Sequence, residues 1–355
     1  MTETASPIRI GVIGAGGIFK NRHFPHLRKI DGVELVAVSN RSEESAKRVA
    51  EQWGVERIES DWRAIVEADD IHAVMIGTWP YMHKQLSVAA LEAGKHVFCQ
   101  ARMAMDLTEA DMMVAASDTR PMQVAVVCPP PHRMPAEPYV QHLLRHGELG
   151  ELREAHLHHT TAANLGKISW RERVEHSGEQ ALAAGIWAEA LHAWLGEYQT
   201  LRATTAIPIP SKPDPEREDS SYQIAIPQVV LIHGTLRSGL PISERHSGVT
   251  PHEPKSELTV VGRDKSLRIR IVDNEMKVDL AEGDRGFRQV EPPPEQTNPW
   301  RVERDFVDAV RAAQRGEPWR NPASTTPDFH EARKYMLKMH AIHRSAESGA
   351  AFDLG

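Results

Sequence analysis

The segment IRIGVIGAGGIF, residues 8–19, decides the fold of the amino-terminal part of the chain. Its apolar first half, Ile8–Ile13, predicts a buried strand, and a helical pattern follows as far as Leu27. The glycines between them form a GxGxx turn, in which Gly14 permits the tight bend and Gly16 lets the backbone approach a ligand. A glycine turn between a strand and a helix predicts a site for the pyrophosphate of a dinucleotide.

Strands and helices alternate from this segment to about residue 128. The apolar runs that predict further strands are Val33–Val38, Ile71–Ile76, His96–Cys99 and Val124–Cys128. The helical patterns between them are Glu43–Trp53 and Met82–Ala93. Such alternation with short connections predicts an α/β domain over residues 1–128, with the doubly wound parallel sheet of a Rossmann fold.

Residues 129–355 follow a different pattern, in which strands succeed one another largely without helices between them. The predicted strands are Leu152–Thr160, Tyr222–Ile226, Val229–Leu236, Glu257–Val261, Ser266–Ile271 and Lys277–Leu280. The predicted helices are Tyr139–Arg145, Ala181–Leu195, Val302–Ala313 and Pro327–Ala346, and the Pro-rich stretch Ile207–Ser220 predicts a solvated loop. The pattern indicates an α+β domain with an open, mostly antiparallel sheet.

Composition narrows the class of protein. The 355 residues carry a formal net charge of -7, which disfavours nucleic acid as a partner, and include only two cysteines, which suit a reducing compartment. No run of about eighteen apolar residues predicts a membrane span, and Met1–Pro7 lacks the features of a secretory leader. The 19 histidines are spread without zinc-site spacing, so no metal is expected. We therefore expect a cytoplasmic protein that acts on a small molecule.

Five segments along the chain carry a family resemblance. They are Gly11–Ile18, Thr78–His83 (TWPYMH), Ala93–Cys99 (AGKHVFC), Trp194–Glu197 (WLGE) and His343–Gly349 (HRSAESG). In this order they resemble the Gfo/Idh/MocA family of dinucleotide-dependent oxidoreductases, over nearly the whole chain. The resemblance implies oxidation or reduction of a sugar, cyclitol or similar polyol. It also implies an open sheet in the second domain that often mediates dimers or tetramers, so a homodimer or homotetramer is expected.

The residues after the second predicted strand indicate which dinucleotide is bound. NAD sites usually place Asp or Glu there for the ribose hydroxyl, whereas this chain has Ser39-Asn40-Arg41-Ser42. A guanidinium suits a 2′-phosphate, so we predict NADP, with NAD as the alternative and a merely solvated Arg41 as the competing interpretation. The predicted cofactor-binding residues are Gly14, Gly16, Gly17, Ile18, Ser39, Asn40, Arg41, Thr78 and Gln100.

Three positions depart from the residues that the family uses to move protons. The family's Glu-Lys-Pro reads Gln100-Ala101-Arg102 here, and Ala183 and Trp187 stand where the family has Asp and His. A positioned acid or base contributes roughly a hundred- to ten-thousand-fold to such a reaction. Neither alanine nor tryptophan can supply it. Trp187 is interpreted either as a stacking platform for a ring or, more simply, as a core residue.

Other side chains are candidates for that role. The candidate catalytic residues are Tyr81, His83, Arg102 and His132, which follow sheet strands at their carboxyl ends. Glu189 and His192 are expected on a solvated helix face. Two functions stay open: an NAD(P)-dependent oxidoreductase with a non-standard site, acting on a sugar-like, cyclic polyol or ring-derived hydroxy compound, and a catalytically silent dinucleotide-binding sensor or regulatory protein.

Overall fold

The computed structural model describes residues 6–130, 135–217, 220–273, 275–321 and 324–355. The chain forms two compact units: Met1–Pro129 with Arg301–Arg333, and Pro130–Trp300 with Lys334–Gly355. The first unit therefore includes a segment from near the end of the chain, whereas the sequence predicts consecutive domains over 1–128 and 129–355. That segment carries the apolar side chains of Val302, Phe306 and Val310, all of which are fully buried.

The sheet of the first unit has six parallel strands in the order β3-β2-β1-β4-β5-β6. Their bounds are β1 Ile8–Ile13, β2 Val33–Ser39, β3 Arg57–Ile58, β4 Ala73–Ile76, β5 His96–Cys99 and β6 Ala125–Val127. This is the strand order of a dinucleotide-binding Rossmann fold, whose ligands bind at the carboxyl ends of the strands beside the first strand. The predicted parallel sheet is confirmed.

Helices surround this sheet. They are a π-helical turn at Phe19–His23, α1 Phe24–Leu27, α2 Glu43–Trp53, α3 Trp62–Glu67, α4 His83–Glu92, α5 Leu107–Asp118 and α9 Val302–Gln314. The Ser42 hydroxyl accepts from the backbone N–H of Ser45 at the start of α2, and Asp106 accepts from that of Glu109 at the start of α5. The sequence analysis missed α3, which is short, and α5, whose apolar residues do not keep to one face.

The second unit contains a sheet of nine strands in the described residues, in the order β16-β15-β14-β13-β7-β12-β11-β8-β17. The bounds of the central strands are β7 Leu152–Thr160, β8 Tyr198–Ala206, β11 Val229–Leu236, β12 Pro241–Ser247 and β13 Ser256–Gly262. The outer strands are β14 Lys265–Val272, β15 Glu275–Glu282, β16 Arg285–Val290 and β17 Phe352–Asp353. Only the pair β7 and β12 is parallel among these described strands, so the predicted mostly antiparallel sheet is confirmed.

Helices complete the second unit. They are α6 Glu137–Arg145, α7 Val174–Ser177, α8 Ala184–Leu195 and α10 Phe329–Ser348, the last of which runs across the division at residue 333. Side chains of α8, including Trp187 and Leu191, join Val230 and Ile232 of β11 in one apolar core. None of the helices in the described ranges is long and apolar enough to cross a membrane.

One predicted loop is wrong in part. The stretch Ile207–Ser220 contains β9, Ser211–Pro213, which pairs with β10, Ser221–Gln223. The Lys212 ammonium lies 2.6 Å from the Glu172 carboxylate, and both side chains are almost completely buried. A charged residue in a Pro-rich stretch is expected to be exposed to solvent. Here its partner, 40 residues away, allows the charge to be buried.

A glycine turn with a candidate dinucleotide site

The glycines of the turn after β1 differ in their surroundings, in line with the two roles that the sequence predicts for them. Gly14 has φ +83°, and a Cβ there would lie 2.6 Å from the Thr78 backbone nitrogen, so the fold itself requires glycine. At Gly16 the nearest atom to such a Cβ is the Gly14 carbonyl oxygen at 3.9 Å, and at Gly17 nothing lies within 4 Å. The surface above Gly16 and Gly17 is therefore open to a ligand, as a pyrophosphate cradle requires.

The end of β2 holds the glycine turn in shape. The Gly14 N–H donates to the Ser39 carbonyl at 2.8 Å, and the Ala15 N–H donates to the Asn40 side-chain oxygen at 2.7 Å. The Asn40 amide nitrogen donates in turn to the Ser45 hydroxyl at 3.0 Å. The structure thus brings Ser39 and Asn40 to the turn, where their observed contacts are to protein groups.

Arg41 extends from the same strand end. Its side chain is exposed, and the guanidinium carbon lies 5.6 Å from the centre of the Trp79 ring. Trp79 follows Thr78 after β4, so the pair links the carboxyl ends of two strands that flank β1. Sequence reasoning missed Trp79, although a tryptophan directly after a sheet strand could have indicated it.

His83 is engaged on both sides of its ring. Nδ1 lies 2.7 Å from the Arg102 carbonyl oxygen, Nε2 lies 2.9 Å from the Thr78 carbonyl oxygen, and the side chain is completely buried. Burial lowers the pKa of His83, against the raising effect of these carbonyls. The ring joins the loops that follow β4 and β5, and this arrangement suits a structural bridge better than a proton shuttle.

The other candidate catalytic residues differ in exposure. The Tyr81 side chain is 44% exposed, whereas Arg102 is buried. His132, and Arg133 beside it, lie outside the described residues. Among the described residues, no group of three or more His, Cys, Asp or Glu side chains is arranged to hold a metal ion.

A buried polar chain in the first unit was also missed. The Gln100 amide nitrogen contacts His23 Nε2, and His23 Nδ1 lies 2.5 Å from a Glu303 carboxylate oxygen. His23 and Glu303 are both fully buried. The only sign of this contact in the sequence is a histidine and a glutamate on otherwise apolar helix faces. Because 280 residues separate the two, no spacing pattern pairs them.

In the second unit, Trp187 is completely buried, and its indole N–H donates to His159 Nδ1 at 3.3 Å. Glu189 is also buried, and burial lowers the pKa of His192 to about 3. The predicted solvated face for Glu189 and His192 is therefore wrong, because Glu189 is buried and His192 is only partly exposed.

Comparison with known proteins agrees with the fold. Residues 8–128 match the GFO_IDH_MocA family model, an oxidoreductase family with an NAD-binding Rossmann fold. The chain is 29% identical over 181 residues to levoglucosan dehydrogenase of Pseudarthrobacter phenanthrenivorans, an alignment covering 50% of this chain and 46% of that protein. It is 34% identical over 107 residues to myo-inositol 2-dehydrogenase of Thermotoga maritima, covering 30% of this chain and 32% of that protein. The chain thus spans less than half the length of these relatives.

Solved structures match over a greater length. Levoglucosan dehydrogenase in complex with NADH and levoglucosan superposes with a TM-score of 0.85 at 20% identity, over 98% of this chain and 100% of that one. An NAD-binding oxidoreductase from Klebsiella pneumoniae gives 0.83 at 18% identity, over 99% and 100%. At these identities the likeness establishes the two-part fold. Residues 8–128 are thus similar in sequence to the NAD-binding Rossmann domain of the Gfo/Idh/MocA oxidoreductase family.

Proposed function

We propose that this chain is an NAD(P)-dependent oxidoreductase that acts on a sugar-like, cyclic polyol or ring-derived hydroxy compound. The observation that carries the proposal is the open surface above Gly16, in a turn whose first glycine, Gly14, is required by the fold. A glycine kept where the protein itself leaves room for a side chain is explained by a ligand that approaches the backbone. The substrate class rests on relatives whose names are levoglucosan dehydrogenase and myo-inositol 2-dehydrogenase.

In this proposal the bound dinucleotide supplies the hydride-transfer chemistry, and the chain supplies binding, orientation and a proton. Gly14, Gly16, Gly17 and Ile18 cradle the pyrophosphate, and Arg41 meets the 2′-phosphate. Ser39 and Asn40 hold the turn, as their hydrogen bonds indicate. Thr78 and Gln100 complete the cofactor site at the carboxyl ends of β4 and β5.

Tyr81 is the residue that we assign to the substrate oxygen. It is the most exposed of the described candidates, and its phenol can donate a proton or a hydrogen bond. Arg102 stabilises charge on the substrate oxygen and does not transfer a proton, because a guanidinium stays protonated. His83, with a carbonyl oxygen against each ring nitrogen, holds the loop that carries Tyr81.

A silent dinucleotide-binding sensor is the second candidate. The observation that favours it is Trp187, which the resemblance aligns with the family's histidine and which is fully buried within the core of the second unit. A side chain buried in this way offers neither a proton nor a hydrogen bond to a substrate. The sensor hypothesis predicts dinucleotide binding without turnover.

Turnover separates the two candidates. We expect the wild-type protein to change nicotinamide absorbance with at least one compound in a panel of sugars, anhydrosugars, cyclitols and ring diols, assayed in both directions. Tyr81→Phe should lower kcat roughly a hundredfold with little change in cofactor affinity, because it removes only the proton donor. Tyr139→Phe, a partly buried tyrosine of the second unit, is the matched control. A wild type that binds the dinucleotide yet transforms nothing would favour the sensor.

Cofactor preference should depend on Arg41. We expect NADPH to bind at least tenfold more tightly than NADH, and Arg41→Ala to remove most of that difference, since a charge-assisted bond to phosphate contributes about 1.5–3 kcal/mol. Calorimetric titration of both cofactors measures it. Arg28, whose guanidinium carbon lies 4.7 Å from the Trp53 ring centre in the same unit, provides a matched arginine–tryptophan control. Unchanged discrimination in Arg41→Ala would remove the arginine from this role.

A further inference from the structure

The buried chain of Gln100, His23 and Glu303 has the amide nitrogen of Gln100 at one end and the carboxylate of Glu303 at the other. An amide nitrogen can only donate, so His23 Nε2 accepts from Gln100. A neutral imidazole then carries its hydrogen on Nδ1, which donates to the Glu303 carboxylate at 2.5 Å. The carboxylate at one end therefore sets the tautomer of the ring, and the ring sets which end of the Gln100 amide faces it.

Aromatic side chains surround this chain and restrict movement of the imidazole. The Phe19 and His23 rings have centroids 4.7 Å apart, and the His23 and Phe98 rings 5.3 Å apart. Phe98 also packs on Phe306 of α9, with centroids 5.5 Å apart. His23 ends the π-helical turn that follows the glycine turn, and Glu303 lies in the first turn of α9. The π-helical turn near the start of the sequence thus contacts α9 near its end, and its His23 also contacts Gln100.

Gln100 lies at the carboxyl end of β5. It directly follows β5, and its backbone N–H donates to the Ile76 carbonyl at the end of β4 at 2.9 Å. This is the carboxyl edge of the sheet, where ligands bind in doubly wound folds, and β4 lies between β5 and β1. The nitrogen of this planar amide faces His23, and the other terminal atom of the amide is an oxygen, which is an acceptor.

We propose that His23 and Glu303 are positioning residues that orient the Gln100 amide so that its oxygen accepts a hydrogen bond from the carboxamide of the nicotinamide. The inference rests on the proposed dinucleotide site. It explains why glutamine occupies position 100, where the resembling family has glutamate. Glu303 already supplies one carboxylate to the buried imidazole, and a second would place two anions around it.

The proposal predicts selectivity for the carboxamide. The acetylpyridine analogue of NADP has a methyl group in place of the amide NH2 and cannot donate to Gln100. We expect wild-type protein to bind NADP about tenfold more tightly than this analogue, the effect of one hydrogen bond of roughly 1.4 kcal/mol. The paired change His23→Phe with Glu303→Leu should reduce the preference to about onefold. Replacing both polar partners by apolar groups avoids leaving either one buried and unsatisfied.

Gln100→Leu should lose the same preference and provides a second variant if the paired change fails to fold. His26→Ala is the matched control. His26 lies on α1, three residues after His23, and its Nδ1 lies 2.7 Å from the Arg22 carbonyl oxygen. Calorimetric titration of both nucleotides, with thermal unfolding in parallel, measures the outcome. Equal wild-type affinities, or a preference retained by a folded paired variant, would overturn the positioning role. Wild-type protein that binds neither nucleotide would overturn the dinucleotide site itself.

Discussion

Replacing Gly16 by valine is expected to abolish dinucleotide binding and to leave the thermal stability of the protein nearly unchanged. A Cβ at Gly16 would have the Gly14 carbonyl oxygen, at 3.9 Å, as its nearest atom outside the adjacent residues, so the apo protein does not obstruct a Cβ there. The same side chain would occupy the surface on which a pyrophosphate must lie, and the loss of affinity should exceed a hundredfold because the backbone contacts can no longer form.

Gly14→Ala provides the contrast. Its Cβ would lie 2.6 Å from the Thr78 nitrogen and 2.8 Å from the Gly77 carbonyl carbon, on a backbone with φ +83°. Strain of this kind costs about 1–3 kcal/mol, so this variant should lose stability as well as binding. Calorimetric titration and thermal unfolding of both variants distinguish the roles. A Gly16→Val protein that binds NADP normally, or is as unstable as Gly14→Ala, would contradict the assignment.

The largest expected effect on stability concerns a buried ion pair in the second unit. Lys338 Nζ lies 2.5 Å from Glu244 Oε1, and both side chains are completely buried. The Tyr198 hydroxyl donates to the same oxygen, and His246 Nε2 lies 2.8 Å from Glu244 Oε2. Glu244→Leu would leave a buried ammonium without its partner, and we expect the free energy of unfolding to fall by about 3–5 kcal/mol.

Two companion variants test this explanation. Glu244→Leu combined with Lys338→Met removes both charges and should recover most of the loss, because apolar replacements of buried pairs are often neutral. Glu275→Ala breaks a surface pair with Lys277, at 2.7 Å, and should change stability by less than about 1 kcal/mol. Chemical denaturation of each protein provides the free energies. Equal losses in the single and double variants would show that packing, rather than charge, is responsible.

The ion pair of Glu244 and Lys338 makes the stability of the fold depend on pH. Burial raises the pKa of Glu244, but Lys338 and His246 outweigh it and lower that pKa to about 2. Since this value is below the ordinary 4.5 of the unfolded chain, the carboxylate stabilises the fold above that pH. Its contribution is lost as the pH falls from 4.5 towards 2. The double variant should lose this part of the pH dependence.

The sequence predicted elements best where one physical signal was strong. Ile8–Ile13, His96–Cys99 and Val229–Leu236 are found with the predicted bounds, since short apolar runs with clear ends form buried strands. β12, Pro241–Ser247, was missed. It begins with proline and places Glu244 on its buried face, where Lys338, 94 residues away, supplies the opposite charge.

In the candidate site, too, features set by a local motif were predictable and contacts between distant residues were not. The conformational demand on Gly14 and the open space at Gly16 were predictable, because a local motif determines both. His83 was predicted to handle protons, yet its ring lies between two backbone carbonyls from separate loops. The contact of His23 with Glu303 joins residues 280 apart. No periodicity or spacing in one sequence carries such a pairing.

A crystal structure of the protein with bound NADP tests the central claim most directly. The account predicts the pyrophosphate over Gly16 and Gly17, the 2′-phosphate within hydrogen-bond distance of Arg41, and the nicotinamide carboxamide at the Gln100 oxygen. A nucleotide bound elsewhere, or a carboxyl edge of the first sheet that stays empty at saturating NADP and NAD, would contradict the proposal that this chain is a dinucleotide-dependent oxidoreductase.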